Sequence, residues 1–289
     1  MRVSWIPYKY CISRVTLRGE TVLVNLNKIG IPIEEQFVVY RSDKGFSLHL
    51  RAFGFREPLN WKHYYDSICK DDVVLDIGAN LGMFTLLSRN ARRIICIEPL
   101  TEAVEILSAN LEKWRLLGKT EIINMAISDS NESVVMHVNE SLNLSKVISC
   151  SYPTNHRERS VEARTLGEYV RKYNANVLRM DLEGYEYEVL MNRIPKRVTK
   201  FALEYHARTL GRKKSLKLLE YFQAEQFKVR FMIEDLPLRL YPFYQHLRVT
   251  GLLRFFTYVK RDADPLDCAS LMFKGRNLKY LILEREKKK

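Results

Sequence analysis

The sequence has no CxxC pair, no apolar run of 18 residues, no internal repeat and no low-complexity segment. Its five cysteines, Cys11, Cys69, Cys96, Cys150 and Cys268, are odd in number and widely spaced. Neither a disulfide framework nor a zinc site is therefore encoded, and reduced thiols in a cytoplasmic protein are expected. Without a long apolar run, and with an opening stretch Met1 to Pro7 that lacks a signal-peptide core, the expectation is a chain neither secreted by that route nor membrane-spanning. The sequons at Asn131, Asn139 and Asn143 are then expected to stay unmodified.

What is present is the composition of a globular body. Of 289 residues, 46% are hydrophobic and 28% charged, which excludes a disordered tail and permits a sizeable core. Acidic residues are in deficit, 34 against 47 Lys and Arg, for a net charge of +13. The excess is uneven: residues 195–230 carry ten basic and three acidic side chains, and residues 236–289 carry twelve and five. Such charge favours anionic partners without choosing among them, and solvated helix faces with a frayed basic C-terminal end are the plainer account of it.

Residues 1–60 read as a β-rich N-terminal cap, with strands at 21–26, 36–41 and 46–51. From Asp71 the texture becomes apolar strand, glycine turn and amphipathic helix in alternation, the pattern of a parallel sheet covered by helices. Strands are expected at 73–77, 93–97, 120–127, 176–180, 200–205, 227–233 and 278–283, with an added one at 133–138. Helices are expected at 83–89, 101–114, 165–173, 185–192 and 212–224. The 61–289 segment is thus one α/β domain, interrupted at about 234–277 by an insertion too long for a hairpin.

In open α/β sheets, ligands gather at the carboxyl ends of the strands. Gly78 and Gly82 stand there in a GxxxG spacing, where a dinucleotide fingerprint would require glycine at Asn80. Asp76, just before the turn, repels a pyrophosphate and suits the ammonium of an amino-acid tail such as that of S-adenosylmethionine (SAM). Glu98, ending the second strand, is placed to accept ribose hydroxyls.

Residues 74–85 (VLDIGANLGMFT), Ile97-Glu98-Pro99, Ala126-Ile127-Ser128-Asp129, Thr165-Leu166 and residues 178–186 (LRMDLEGYE) resemble the FkbM family of SAM-dependent methyltransferases. The last stretch is similar to the family's Asp-Val-Glu-Gly-Ala-Glu signature. The resemblance covers about Asp71 to His206 and implies a class I, Rossmann-like methyltransferase sheet with helices on both faces. It also implies SAM as methyl donor and methylation of an oxygen on a sugar, polyketide or other small molecule. Carried over, Asp76, Gly78, Asn80 and Gly82 would line the methionine and ribose side, Glu98 would hold the ribose, and Ala126 and Ser128 would border the adenine. Asp181 and Glu183 would lie beside the transferred methyl. Leu182 and Tyr185 stand where smaller residues are common, and the N-terminal strands and the insertion lie outside the resemblance.

Asp181 is the first candidate for orienting or deprotonating a hydroxyl, Glu183 the second, and His206 a further base by its ordinary pKa. No metal is assigned, although Asp181, Glu183, Glu204 and His206 could gather a cation. The fourth strand ends in Met180-Asp181-Leu182-Glu183, not in the Asn/Asp-Pro-Pro-aromatic motif that grips an exocyclic amine, and no cysteine sits there to attack a pyrimidine ring. The expected acceptor is a small molecule or glycan. The alternatives are an RNA substrate, prompted by Tyr241, Phe243, Tyr244, Arg248, Arg254, Phe255, Phe256 and Tyr258, and a partner-binding protein with an idle methyltransferase fold.

Overall fold

In the computed structural model, the residues described are 15–18, 21–26, 30–43, 46–138, 146–147, 157–234, 238–244, 247, 258–260, 262–273 and 279–286. Strands β1 (Val15–Arg18), β2 (Thr21–Asn25) and β3 (Gln36–Tyr40) form an antiparallel sheet. Helices α1 (Phe46–Phe53) and α2 (Pro58–Ser67) lead from it into β4 (Val73–Ile77). The expected strand at 46–51 is therefore a helix. Its residues alternate apolar and polar, but Asp43 Oδ2 accepts the Ser47 N–H at 2.8 Å and starts a helical turn that buries Ser47 and Leu50.

After β4 come α3 (Met83–Leu87), β5 (Arg93–Ile97), α4 (Thr101–Lys113), β6 (Thr120–Ile123) and β7 (Ala126–Ser128). The expected strand at 120–127 is thus two, because the Ala126 N–H turns to the Glu162 carbonyl and β7 pairs elsewhere. Strands β8 (Val134–Val138), β9 (Lys146–Val147) and β10 (Arg157–Val161) form a small antiparallel sheet, and β11 (Ala163–Thr165) runs parallel to β7. The chain continues through α5 (Leu166–Tyr173), β12 (Val177–Met180), α6 (Glu186–Leu190), β13 (Lys200–Tyr205), α7 (Ala207–Ala224), β14 (Phe227–Glu234), β15 (Tyr258–Lys260), α8 (Ala269–Met272) and β16 (Lys279–Arg285). Helix α7 starts five residues before the expected Arg212 and is broken at Gly211, whose φ of 73° is not helical.

The main sheet has the order β15-β14-β16-β13-β12-β4-β5-β6. Strands β13, β12, β4, β5 and β6 are mutually parallel, and β16 runs antiparallel between β13 and β14. Central strands β4, β12 and β13 are buried along their whole length, as a sheet covered on both faces requires. One core layer joins the N-terminal strands to α2, α3 and α4, including Phe37, Trp61, Leu86 and Leu107. The other lies under α5 and α7, including Val170, Phe201 and Phe222.

The segment after β14 packs back on this frame. Tyr241 and Tyr244 are 4% and 2% exposed, with rings 5.2 Å from that of Phe55. They belong to the core and do not form a base-stacking platform, whereas Phe243 is 47% exposed. Arg248, Arg254, Phe255 and Phe256 lie outside the described residues, and Tyr258 starts the edge strand β15.

Candidate active site

Strand order reverses between β4 and β12, so the turns that follow them, from Gly78 and from Asp181, flank the crevice where such sheets bind ligands. The register sets Asp76 beside Arg179. Asp76 is fully buried; its Oδ2 accepts from Thr85 Oγ1 at 2.6 Å, and its Oδ1 lies 3.6 Å from Arg179 Nη1. Burial pushes the Asp76 carboxyl up, while Arg179 and Thr85 oppose that shift. The sequence points Asp76 at a ligand ammonium; in the fold it faces a guanidinium of this chain.

Arg179 is the hub of the crevice. Its Nη1 donates to the Gly78 carbonyl at 2.8 Å, and its Nη2 lies 3.3 Å from Asp181 Oδ2 and 3.8 Å from Glu204 Oε2. Its guanidinium carbon sits 4.0 Å from the centroid of the Phe84 ring. A buried arginine is tolerable only with such partners. Arg179 is not among the residues expected at the site, although the sequence carries its signal: a cation between Leu178 and Met180 inside an apolar strand.

The two glycines of the turn meet different neighbours, and Gly78 lines the cleft. A Cβ on Gly78, at φ 73°, would meet the Asp181 carbonyl oxygen at 2.4 Å. One on Gly82 would meet Leu107 Cδ1 at 2.5 Å, so Gly82 serves the contact between the turn and α4 and does not line the cleft. Asn80, at φ 50°, donates its N–H to Glu98 Oε2 at 2.8 Å, and the Leu100 N–H reaches Oε1 at 3.0 Å. Burial nevertheless pushes the Glu98 carboxyl up to about 7. Ala126 and Ser128 are buried on β7, where Ser128 Oγ donates to Asp129 Oδ1 at 3.0 Å; they do not line the cleft that holds Gly78 and Asp181.

Beside Asp181 the chain collects charge. His206 Nδ1 lies 2.8 Å from Glu186 Oε1, and its Nε2 lies 3.4 Å from Glu183 Oε2. Although burial acts to lower it, these two carboxylates push the His206 pKa up to about 12, so the ring is an imidazolium at neutral pH. In that state the ring carries a proton on both nitrogens, whereas its ordinary pKa gives the neutral form expected from the sequence. Burial raises the Glu183 carboxyl, and burial together with Asp181 raises Glu204 well above the usual range. Glu186, fully buried, lies within the sequence motif but is not among the expected site residues. Asp181, Glu204 and His206 each offer a ligand atom within 4.8 Å of the others, the spacing of a metal site. The positive charge between them comes from Arg179 and the charged His206 ring, both of which a divalent cation would have to approach.

Asp181 Oδ1 is buried with no hydrogen-bond partner among the described residues, while its Oδ2 faces Arg179. The cleft is also lined by Phe46, Arg56, Glu57 and Trp61, all from the segment before β4. No sequence signal marks these four.

The Methyltransferase FkbM domain matches residues 76–248, more than half of the chain, and the protein belongs to that family. SAM is the family's methyl donor. No curated protein matches the sequence. A putative SAM-dependent methyltransferase from Streptococcus mutans superposes with a TM-score of 0.50 at 10% identity, over 93% of this chain and 56% of its own. That likeness shows the fold. Methyltransferase FkbM from Methylobacillus flagellatus KT gives 0.37 at 15% identity, over 54% of this chain and 38% of its own. The tRNA m1G37 methyltransferase of M. jannaschii gives 0.46 at 14% identity, over 93% of this chain and 55% of its own. Among the described residues no helix is long and apolar enough to cross a membrane.

The residues fit this cofactor. The Glu98 carboxylate, already oriented by two backbone N–H groups, is an acceptor suited to a donor-rich ligand.

Proposed function

We propose that the chain is an O-methyltransferase acting on a hydroxyl of a sugar, a lipid-linked glycan or another small molecule. The observation that carries this reading is Asp181, which lines the cleft beside the turn from Gly78: Arg179 engages its Oδ2, and its Oδ1 is buried with no hydrogen-bond partner among the described residues. A hydroxyl acceptor must be stripped of its proton, and a fixed carboxylate oxygen within reach does that.

When bound, the cofactor supplies an electrophilic methyl on a sulfonium. Glu98 holds the ribose hydroxyls, and Gly78 and Asn80 shape the turn beneath the methionyl end. Asp181 Oδ1 takes the proton of the acceptor hydroxyl, with Glu183 as second candidate. His206, held charged between Glu183 and Glu186, orients Glu183 and adds positive potential that favours the alkoxide. Arg179 is a positioning residue, since it touches Asp181 and the Gly78 carbonyl.

The test is calorimetry with SAM and S-adenosylhomocysteine (SAH), followed by transfer of labelled methyl to glycans, lipids and total RNA. Asp181→Asn should bind SAH as wild type does and lose about 100-fold or more in turnover, the scale of general base catalysis. Wild-type turnover in that variant would remove Asp181 from the mechanism. The RNA reading has exposed Arg208, Arg212, Lys213 and Lys217 on α7 in its favour. It requires RNA affinity that falls steeply with salt.

A further inference from the structure

Part of the cleft's lining, Phe46, Arg56, Glu57 and Trp61, precedes the family match and is held in place by a residue of the expected insertion. Arg56 and Glu57 precede residue 76, where the match begins. Arg56 Nε donates to Glu57 Oε1 at 2.7 Å, and the Arg56 guanidinium lies 5.8 Å from the Phe46 ring centroid. Its Nη1 and Nη2 have no hydrogen bond among the described residues, and Arg56 lines the cleft. Glu57 adopts a left-handed backbone, φ 49° and ψ 55°, directly before Pro58. A non-glycine residue there needs something to hold it. Its N–H donates to Tyr241 Oη at 2.8 Å, and Tyr241 is wedged against Phe53 and Phe55 at 5.4 and 5.2 Å. Glu204, 8% exposed, also lines the cleft, with Arg179 Nη2 3.8 Å from its Oε2.

The lining mixes both signs of charge. Around the cleft stand Glu57, Asp181, Glu183 and Glu204 beside Arg56 and Arg179, with the charged His206 ring 3.4 Å from Glu183, and burial together with Asp181 raises Glu204 well above the usual carboxylate range. An anionic group on the acceptor would find no surplus of positive charge there, whereas neighbouring hydroxyls would find both donors and acceptors.

Resting on the methyltransferase reading above, we propose that Arg56 and Glu57 are the acceptor-reading pair of this site, positioned by Tyr241, and that they select an uncharged polyhydroxylated acceptor over an anionic one. The free Arg56 nitrogens donate to an acceptor oxygen, and Glu57 accepts from an adjacent hydroxyl. Tyr241 does not touch the acceptor; it fixes the backbone that aims Glu57.

The experiment uses the full chain, with SAH calorimetry run first on every variant. Labelled methyl transfer from SAM is then measured to neutral methyl glycosides and oligosaccharides and to their uronic-acid counterparts. Wild type should methylate neutral probes in preference to the uronic acids. Arg56→Met and Glu57→Gln should bind SAH unchanged and raise KM for the neutral probe by about tenfold or more, as loss of a hydrogen bond to a charged group does. Arg56→Lys should recover part of that loss, and Tyr241→Phe should raise KM with kcat little changed. Preference for uronic acids, an unchanged KM in Arg56→Met, or no transfer to any neutral probe by a wild-type protein that binds SAH would each overturn the proposal. Failure of folded wild type to bind SAH would instead remove the methyltransferase reading itself, and this inference with it.

Discussion

Glu98 provides a prediction that can be tested before any acceptor is known. Its carboxyl is 5% exposed, and burial pushes its pKa up to about 7 against the help of the Asn80 and Leu100 N–H groups. In its proposed role the ionised form accepts two ribose hydroxyls, so the cofactor prefers the deprotonated protein. The affinity for SAH should therefore rise with pH and level off above about 7. At pH 6 only about one site in eleven is ionised, which weakens binding roughly tenfold relative to the plateau. Calorimetry at pH 6, 7 and 8, in buffers of different ionisation enthalpy, should show this slope together with release of about half a proton at pH 7. The ligand-free protein has the opposite slope: a raised carboxyl pKa stabilises the fold below about 4.5, and that contribution is lost as pH rises through about 7. Glu98→Gln should flatten both dependences. A pH-independent SAH affinity in wild type would refute the assignment of Glu98 to the ribose.

Arg179→Met should cost about 3–5 kcal/mol in urea unfolding, because it strands the fully buried Asp76, and Asp76→Asn in the same chain should return part of that loss. The charged His206 contributes stability that is complete below about pH 6.5, shrinks as pH rises and vanishes beyond about 12. The stability gap between wild type and His206→Gln should accordingly narrow from pH 7 to pH 10 in denaturant titrations. Gly82→Ala, at φ 95° with Leu107 Cδ1 2.5 Å from the new Cβ, should destabilise by about 1–3 kcal/mol. A wild-type unfolding midpoint in the Gly82→Ala protein would mean that α4 gives way freely.

The sheet was legible because its central strands are buried on both faces and so are written as unbroken apolar runs, as in Val73-Val74-Leu75 and Val177-Leu178. Helix α1 was not, because six residues that alternate in polarity read as a strand until Asp43 is recognised as the group that caps Ser47. The candidate site divided in the same way. Residues in the turns after β4 and β12 could be found from spacing. The Arg56–Glu57 wall could not, since it depends on Tyr241 returning across 184 positions to hold Glu57. His206 shows a third case: its type promised a base, but its charge state was decided by Glu183 and by Glu186, which is itself fully buried.

The approach of the Gly78 turn to Asp181 has a mechanical consequence. The Asp181 carbonyl oxygen occupies the space a side chain at 78 would need, and the Gly78 carbonyl in turn receives Arg179. The Gly78 turn and Asp181 are therefore packed directly against each other, so a change at one is felt at the other. Any side chain at position 78 would push Asp181 away as surely as it disturbed a ligand, and its effect would surface as misaimed chemistry even where SAH still binds.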